Sequence, residues 1–186
     1  MRLLTTLTLV ASFLCSAIGL ANMGTTEPVT TAKVATTVPT SGPSSNIPSV
    51  DIKTLEGKVV NIKDYVGKGK ITVISFWATW CSPCKRELDA IAEIYPDWQE
   101  EFGVELLAIT VDDARSLAKV PSLIETKGWE YTILADSKQE LQKAMNFQTV
   151  PQTFLLDAEG NIVYTHAGYN PGDEIELEEK IAKLAK

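Results

Sequence analysis

Two cysteines separated by two residues, Cys81 and Cys84, are the side chains of this sequence best placed to do chemistry. They follow a β-branched and aromatic run at 71–76, which predicts a buried strand, and they open a segment with helical periodicity. At a helix N-terminus, free backbone N–H groups and the macrodipole stabilise a thiolate at Cys81. Cys84, one turn further on, can resolve a mixed disulfide that Cys81 has formed. Pro83 has no N–H to lose in a first helical turn and helps to fix the active-site turn.

The same cysteine pair has two other uses in proteins, a static structural disulfide and half of a metal site. Zinc needs about four ligands. Without residues 1–21, which have the pattern of a removable leader, the chain offers only these two cysteines and the single His166. A disulfide that closes so small a ring constrains the unfolded chain less than a longer one. The pattern therefore favours reversible thiol–disulfide exchange with Cys81 as the attacking sulfur. We expect no metal and no bound cofactor.

Length and charge limit what the whole chain can do. Its 186 residues with 45% hydrophobic content suffice for one globular domain with its own core, but are short for two. The formal net charge is −7, and the sequence has no run of Lys or Arg. Such a chain lacks the electrostatic attraction that nucleic acids require, so we exclude nucleic-acid binding. No pattern indicates an oligomeric state.

Residues 1–21 have the features of a signal peptide, namely a charged start, an apolar centre and a small-x-small end. We expect cleavage after Ala21. An uncleaved anchor is the alternative, because the apolar stretch lies at the lower edge of the roughly 17–25 residues that span a bilayer. Cys15 is a weaker candidate for lipidation, since Leu14 stands where lipoprotein signals usually place a small residue. Cleavage would leave the Cys-x-x-Cys pair as the only cysteines, in an oxidising compartment.

Residues 22–49 are rich in Thr, Ser and Pro and contain no aromatic residue. Because few apolar side chains are present to offset the entropy of ordering, a disordered linker is predicted. The folded domain is then expected at residues 50–186. If the leader were retained, the linker would tether that domain to a membrane with an r.m.s. reach of roughly 30 Å.

The folded segment alternates strand and helix patterns. A hairpin is predicted around the turn signal Glu56-Gly57-Lys58, before the buried strand. Beyond the cysteines, apolar residues spaced by three or four predict a long helix, which Pro96 should kink or restart. The later predicted elements are a strand at 104–111, one helix ending near Gly128, a strand at 131–134, a helix at 138–145, a hairpin about Gly160 and a final helix at 173–185.

The segment 76–85, Phe-Trp-Ala-Thr-Trp-Cys-Ser-Pro-Cys-Lys, closely resembles the active-site segment of the thioredoxin superfamily. Residues 50–186 as a whole are similar to the exported TlpA/ResA branch, which is DsbE/CcmG-like. The leader, the hairpin, an extra strand–helix unit after Asp112 and the position of Glu87 match that branch better than cytosolic thioredoxin. The resemblance implies an α/β thioredoxin-like fold, with a mixed central β-sheet flanked by helices and an N-terminal β-hairpin extension.

The resemblance also implies a substrate-binding surface. Val150-Pro151 matches the cis-proline turn that faces the disulfide, where the backbone of the preceding residue pairs with an extended substrate segment. An ordinary loop proline is the alternative, and the following Gln-Thr-Phe-Leu-Leu-Asp favours the cis form. Trp80 is expected to line the active-site surface together with Pro83, and Trp77 to pack in the core. His166, distant from the motif in sequence, is assigned a structural role.

A glutamate after the second cysteine is the expected proton-transfer group. Thioredoxin has a buried acid six residues before its first cysteine, but this chain has Ser75 there, which cannot supply a base. Glu87 matches the glutamate that tunes the thiols in the ResA-like branch. In a partly desolvated cleft its pKa would be raised, and it could accept or deliver a proton as Cys84 attacks or leaves. The alternative is an exposed helix glutamate beside Lys85 and Arg86.

The family suggests a reductase of protein disulfides in the bacterial periplasm, soluble or tethered, fed by a membrane electron donor. Apocytochrome thiols before haem attachment are one such substrate. Ser82-Pro83 does not settle the direction of electron flow. One competing class is a copper-binding chaperone on the same fold, because thiolates bind Cu(I), although such proteins space their cysteines more widely and add a downstream histidine. Another is a peroxidase of the peroxiredoxin type, for which the Pro-x-x-x-Thr-x-x-Cys pattern is missing.

Overall fold

The computed structural model describes residues 45–186, in which eight strands form one mixed β-sheet. The predicted leader and residues 22–44 of the predicted linker lie outside the described residues. The strands are β1 Ser45–Asn46, β2 Asp51–Thr54, β3 Val59–Asn61, β4 Thr72–Trp77, β5 Glu105–Thr110, β6 Thr132–Ala135, β7 Gln152–Leu156 and β8 Asn161–Ala167. The helices are α1 Ser82–Phe102, α2 Ala114–Leu117, α3 Val120–Lys127, α4 Glu140–Ala144 and α5 Asp173–Leu184, with a 3₁₀ turn at Ile62–Asp64.

The strand order is β1-β8-β7-β4-β5-β6-β2-β3. Strands β4, β5 and β6 are parallel, and the other neighbouring pairs are antiparallel. The predicted N-terminal hairpin is present as β2 and β3, and it extends the sheet beyond β6. The expected thioredoxin-like α/β architecture with a mixed sheet is therefore confirmed.

Strand β4 lies at the centre of the sheet, and all six of its residues are buried. Its side chains alternate between two covered faces. Ser75 bonds to a side chain of α1, and Phe76 packs against Phe147, which follows α4, on the opposite face. A strand covered on both sides needs apolar residues at successive positions, which explains the continuous run in the sequence.

Helix α1 is continuous from Ser82 to Phe102, so of the predicted kink or restart at Pro96 the restart does not occur. A proline inside a helix removes one N–H···O=C bond and crowds the preceding turn. Tyr95 and Trp98, on either side of it, are 5% and 0% exposed, and their burial outweighs that loss. The helix ends at Gly103, whose left-handed backbone donates its N–H to Gln99.

The single helix predicted up to Gly128 is two helices, α2 and α3. Pro121, in the first turn of α3, cannot continue α2, because its ring would clash with the carbonyl of the preceding turn. The end of α3 is tied to α1 through Asp89. Its carboxylate binds Lys127 Nζ at 2.6 Å and Trp129 Nε1 at 3.1 Å.

The folded part begins earlier than the expected boundary at residue 50. Strand β1 pairs with β8, with Asn46 opposite Asn161, and Ile47 is 2% exposed. Ser45, Asn46 and Ile47, which the prediction placed in the linker, therefore belong to the folded part. An exposed sheet edge offers unpaired backbone groups, so a short polar segment anchored by one apolar side chain can add a strand.

No helix among residues 45–186 has the length and apolar character needed to cross a membrane.

Gly67 brings the loop before β4 into backbone contact with the turn between β7 and β8. Its φ is +65°, and a Cβ there would lie 2.8 Å from the carbonyl oxygen of Glu159. Nearby, the Gly69 N–H donates to the Ala158 carbonyl at 3.1 Å. Gly103 has the same φ of +65°, but nothing lies within 4 Å of a Cβ there.

Gly67→Ala should therefore cost more stability than Gly103→Ala. Both substitutions add the strain of a left-handed alanine, about 1–2 kcal/mol, and only the former adds a clash with backbone. The free energy of unfolding in urea measures both. Equal losses of stability in the two variants would show that the Gly67 loop can move away from the Glu159 turn without cost.

Candidate active site

Cys81 and Cys84 form a disulfide at the N-terminus of α1, with their Cα atoms 5.4 Å apart. Cys81 is the N-cap residue, and its sulfur accepts the Cys84 N–H at 3.2 Å. Pro83 lies in the first turn, as predicted. Cys81 is 4% exposed and Cys84 is 0% exposed. Of the two residues only Cys81 retains any exposure, which favours it as the one that meets another protein.

The peptide bond between Val150 and Pro151 is cis, which confirms that prediction. The carbonyl oxygen of Val150 lies 3.7 Å from the Cys81 sulfur. A shallow groove runs between Val150 and Trp80, which is 66% exposed. Trp77 is fully buried and packs edge-on against Trp129. The structure thus brings the predicted substrate-binding residues together beside the disulfide, whereas Trp77 belongs to the core.

Glu87 is buried on α1, three residues beyond Cys84, and is 4% exposed. The Thr153 hydroxyl donates to its Oε1 at 2.5 Å, and the Ser75 hydroxyl donates to its Oε2 at 3.2 Å. Ser75 and Thr153 lie opposite each other on β4 and β7. The alternative of an exposed helix glutamate is therefore wrong.

Burial raises the pKa of Glu87 to about 7, and the two hydroxyl donors only partly oppose this shift. The predicted raised pKa is confirmed. A carboxyl that changes protonation near neutral pH can act as either proton donor or proton acceptor. Ser75 supplies no base, as expected, and its hydroxyl instead donates to the Glu87 carboxyl.

Asp112, at the end of β5, clamps the turn that leads to Cys81, and the sequence analysis missed this role. It is fully buried, and its carboxylate accepts the Thr79 N–H at 2.8 Å and the Thr79 hydroxyl at 2.9 Å. The Thr110 hydroxyl adds a third bond at 2.6 Å. The available signal was an acid directly after a buried strand, because parallel neighbours such as β4 and β5 end at the same edge of the sheet.

His166 lies closer to the site than its position in the sequence suggested. It stands directly opposite Thr153 in the pairing of β7 with β8, and its Nε2 lies 2.9 Å from Asp173 Oδ2. Within the described part of the chain, no three His, Cys, Asp or Glu side chains form a cluster that could hold a metal ion.

Together these contacts describe a disulfide that faces a cis-proline, with Cys81 slightly exposed and Cys84 fully buried. This asymmetry suits two-step exchange, in which one cysteine meets the substrate and the other releases it. The fold and the site thus define a thiol–disulfide oxidoreductase of the thioredoxin-like class.

Comparison with known proteins gives the family. Residues 43–165 match the AhpC/TSA family, and the chain belongs to it. The chain is 30% identical over 137 residues to the thiol-disulfide oxidoreductase ResA of Bacillus thuringiensis subsp. konkukian, covering 74% of this chain and 75% of that relative. The solution structure of a thioredoxin-like protein from Porphyromonas gingivalis has 45% identity and a TM-score of 0.67, covering 75% of this chain and 91% of the other. The crystal structure of StoA from Bacillus subtilis has 30% identity and a TM-score of 0.56, covering 74% of this chain and 98% of StoA.

Asp112→Asn should destabilise the protein by about 1–3 kcal/mol. An amide NH₂ cannot accept a hydrogen bond, so at least one buried donor on Thr79 or Thr110 loses its partner. Asp113→Asn is the matched control, because Asp113 is the N-cap of α2 and Asn caps a helix as well as Asp does. Urea unfolding of the oxidised proteins measures both changes. Equal stability of the two variants would show that the clamp is unimportant.

Glu87→Gln should make stability less dependent on pH. The folded pKa of about 7 exceeds the ordinary 4.5, so the folded state holds this proton more tightly than the unfolded state does. The resulting stabilisation is complete below 4.5 and is lost as pH rises through about 7. Between about pH 4 and about pH 8, the stability difference should therefore move in favour of the variant by about 3 kcal/mol.

The control for this experiment is Glu93→Gln, at an exposed position of the same helix. It also removes one carboxylate from α1, but not from the core. Urea unfolding across the pH series measures both variants. A stability difference between wild type and Glu87→Gln that stays constant with pH would contradict the assignment of a buried, titrating carboxyl.

Proposed function

We propose that the protein reduces disulfide bonds of other proteins outside the cytoplasm, through a reversible Cys81–Cys84 disulfide. The observation that carries the direction is the buried Glu87 carboxyl, one helical turn beyond Cys84. A carboxylate in that position disfavours a second negative charge on the nearby buried thiol. Strong oxidants of this class owe their potential to a stabilised reduced form, so a dithiol without such stabilisation gives up its electrons more readily.

The proposed reaction has two displacement steps. The Cys81 thiolate attacks a substrate disulfide, which forms a mixed disulfide and releases one substrate sulfur as a thiolate. Cys84 then loses its proton to Glu87 and attacks the Cys81 sulfur. The Cys81–Cys84 disulfide forms, the second substrate thiolate leaves, and two electrons have passed to the substrate.

The substrate-binding residues of the proposal are Trp80, Pro83, Val150 and Pro151. The Cys81 sulfur borders the Val150 carbonyl, so an extended substrate segment that pairs with that backbone would bring its own sulfur to Cys81. The groove between Trp80 and Val150 offers room for such a segment. Protein disulfides are therefore the proposed substrate class, and no cofactor takes part.

Export and electron supply complete the proposal. Residues 1–21 have the pattern of a signal peptide or an anchor, and a periplasmic location, soluble or tethered, agrees with that pattern. In an oxidising compartment the active-site disulfide must be reduced again after each turnover. A membrane-bound dithiol donor is the proposed source of these electrons, and apocytochrome thiols awaiting haem are a proposed product.

The reduction potential of the Cys81–Cys84 pair, measured against dithiothreitol, should lie near or below about −270 mV, the value of thioredoxin. Glu87→Gln should move it to a less negative value, because the variant lacks the charge that opposes a thiolate at Cys84. A wild-type value approaching about −120 mV, that of the oxidant DsbA, would mean that the protein donates disulfides.

Single cysteine variants separate the roles of the two sulfurs. Cys84→Ser should accumulate a mixed disulfide with a substrate protein, because Cys81 still attacks and nothing resolves the product. Cys81→Ser, the matched control, should form none, since the remaining sulfur is 0% exposed. Trapping by both variants alike would contradict the assigned order of attack. Consumption of hydrogen peroxide by the wild type would instead favour a peroxidase.

A further inference from the structure

The Glu87 carboxyl opens toward solvent through a small cleft between the sheet and the helices α1 and α5. Ser75 and Thr153 hold its two oxygens from the sheet side. The cleft is therefore the route by which water and the charges of its lining reach the buried carboxyl. Its polar lining consists of Glu87, Thr153, Tyr164, His166, Asp173 and Glu174.

His166 lines the same cleft as Glu87 and is the more exposed of the two residues. Because it pairs directly with Thr153 across β7 and β8, the two side chains share one face of the sheet, and Thr153 is the residue that donates to Glu87. The His166 side chain is 27% exposed, whereas Glu87 is 4% exposed. His166 thus lines the cleft and also reaches water.

Two neighbours hold the imidazole of His166 in place. Its Nε2 lies 2.9 Å from Asp173 Oδ2, and its Nδ1 lies 3.3 Å from the Tyr164 hydroxyl. The Tyr164 ring stacks on the imidazole at an interplanar angle of 16°. Asp173 is itself fixed, because it accepts the Asn170 N–H at 2.7 Å. The side chain is therefore oriented by its surroundings.

The other charged groups around this cleft have partners of their own. Lys180 binds Glu176 at 3.1 Å and lies 4.3 Å from the centre of the Tyr164 ring. Glu174 accepts the Tyr169 hydroxyl at 3.0 Å. Among residues 45–186, His166 is the one basic side chain of the cleft lining.

We propose that His166, held by Asp173, is a positioning residue that acts through Glu87 and sets the pH at which the buried carboxyl releases its proton. The proposal rests on the proposed function, because it assigns Glu87 the proton exchanged with Cys84. When a donor dithiol reduces the disulfide, the Cys84 sulfur leaves as a thiolate and takes the Glu87 proton. Glu87 is then a carboxylate that accepts the Cys84 proton in the next resolving step, after which it exchanges its proton with water past His166 before the disulfide is reduced again.

The charges in the cleft determine the direction of the effect. A protonated His166 favours the ionised form of Glu87 and lowers its pKa, while Asp173 opposes ionisation and raises it. Loss of His166 removes the favourable charge and also leaves Asp173 without its partner. Both consequences raise the pKa of Glu87.

The test is a carboxyl carbon NMR titration of Glu87 in the protein labelled with ¹³C-glutamate. His166→Gln should raise the pKa of Glu87 by roughly half a unit or more, as expected for loss of one charge at a partly solvated cleft. His166→Arg restores a cation and should leave this pKa at or below that of the wild type. The pH midpoint for the rate of disulfide reduction by dithiothreitol should move upward in His166→Gln and not in His166→Arg.

Lys180→Gln is the control, because it removes one positive charge from α5 near Tyr164 but not from the cleft lining. A smaller shift in this variant than in His166→Gln supports the proposal. An unchanged Glu87 titration in His166→Gln would overturn it, as would equal shifts in His166→Gln and His166→Arg or in Lys180→Gln. The Glu87 titration does not depend on the direction of electron flow. A reduction potential typical of an oxidant would therefore refute the reductase role without deciding whether His166 sets the pKa of Glu87.

Discussion

Strand β7 lies antiparallel to β4, with Ser75 opposite Thr153 and Phe76 opposite Gln152. The geometry of the site depends on this register. It places Pro151 at the end of the strand pair where Cys81 begins α1, and it turns the two hydroxyls toward Glu87. Because side chains alternate along a strand, a slip of one residue would turn apolar groups toward the carboxyl.

The register is held from the opposite face of the sheet. Phe76, Phe147 and Phe154 pack there with ring centres 4.6–5.9 Å apart. Such aromatic contacts are lost if either strand shifts by one position, since the rings would then face the other side. The apolar cluster thus stabilises the register on which the polar arrangement of the opposite face depends.

The chemistry of Glu87 follows from the kind of partner that this register supplies. A cation beside a buried carboxyl would hold its pKa low, and a second acid at position 75 would face it with a like charge. Ser75 and Thr153 are uncharged hydrogen-bond donors. Their bonds offset part of the cost of burying the Glu87 carboxyl, while its pKa stays near 7. Ser75, Thr153 and Glu87 therefore form one arrangement, in which uncharged donors of the sheet hold a carboxyl supplied by α1.

The local spacing of residue types was enough to predict the features that depend on only a few neighbouring residues. The redox pair, the hairpin and the helix after the motif are of this kind, and the family resemblance added Pro151 and Glu87. The partners of those residues were beyond reach, because Thr153 meets Glu87 across 66 residues and Asp112 meets Thr79 across 33. No pattern within one strand states which residue of another strand lies opposite.

Two prolines show why local rules failed at helix boundaries. Pro96 stands within α1 between the buried Tyr95 and Trp98, and there packing maintains the helix. Pro121 follows α2, which buries none of its side chains, so nothing offsets the cost of a proline and a new helix starts instead. Whether a proline interrupts a helix thus depends on tertiary burial, which the periodicity around it only partly indicates.

The groove and the cleft described above share no lining residue. Trp80 and Val150 line the groove beside Cys81, while Glu87 and His166 line the cleft between the sheet and α5. In the proposed mechanism a substrate protein joined to Cys81 covers the groove and leaves the cleft open. The proton that Cys84 gives up can then leave through the cleft during the resolving step, when the substrate is still attached. Separate access for substrate and proton is the condition under which a buried carboxyl can serve a buried thiol in every turnover.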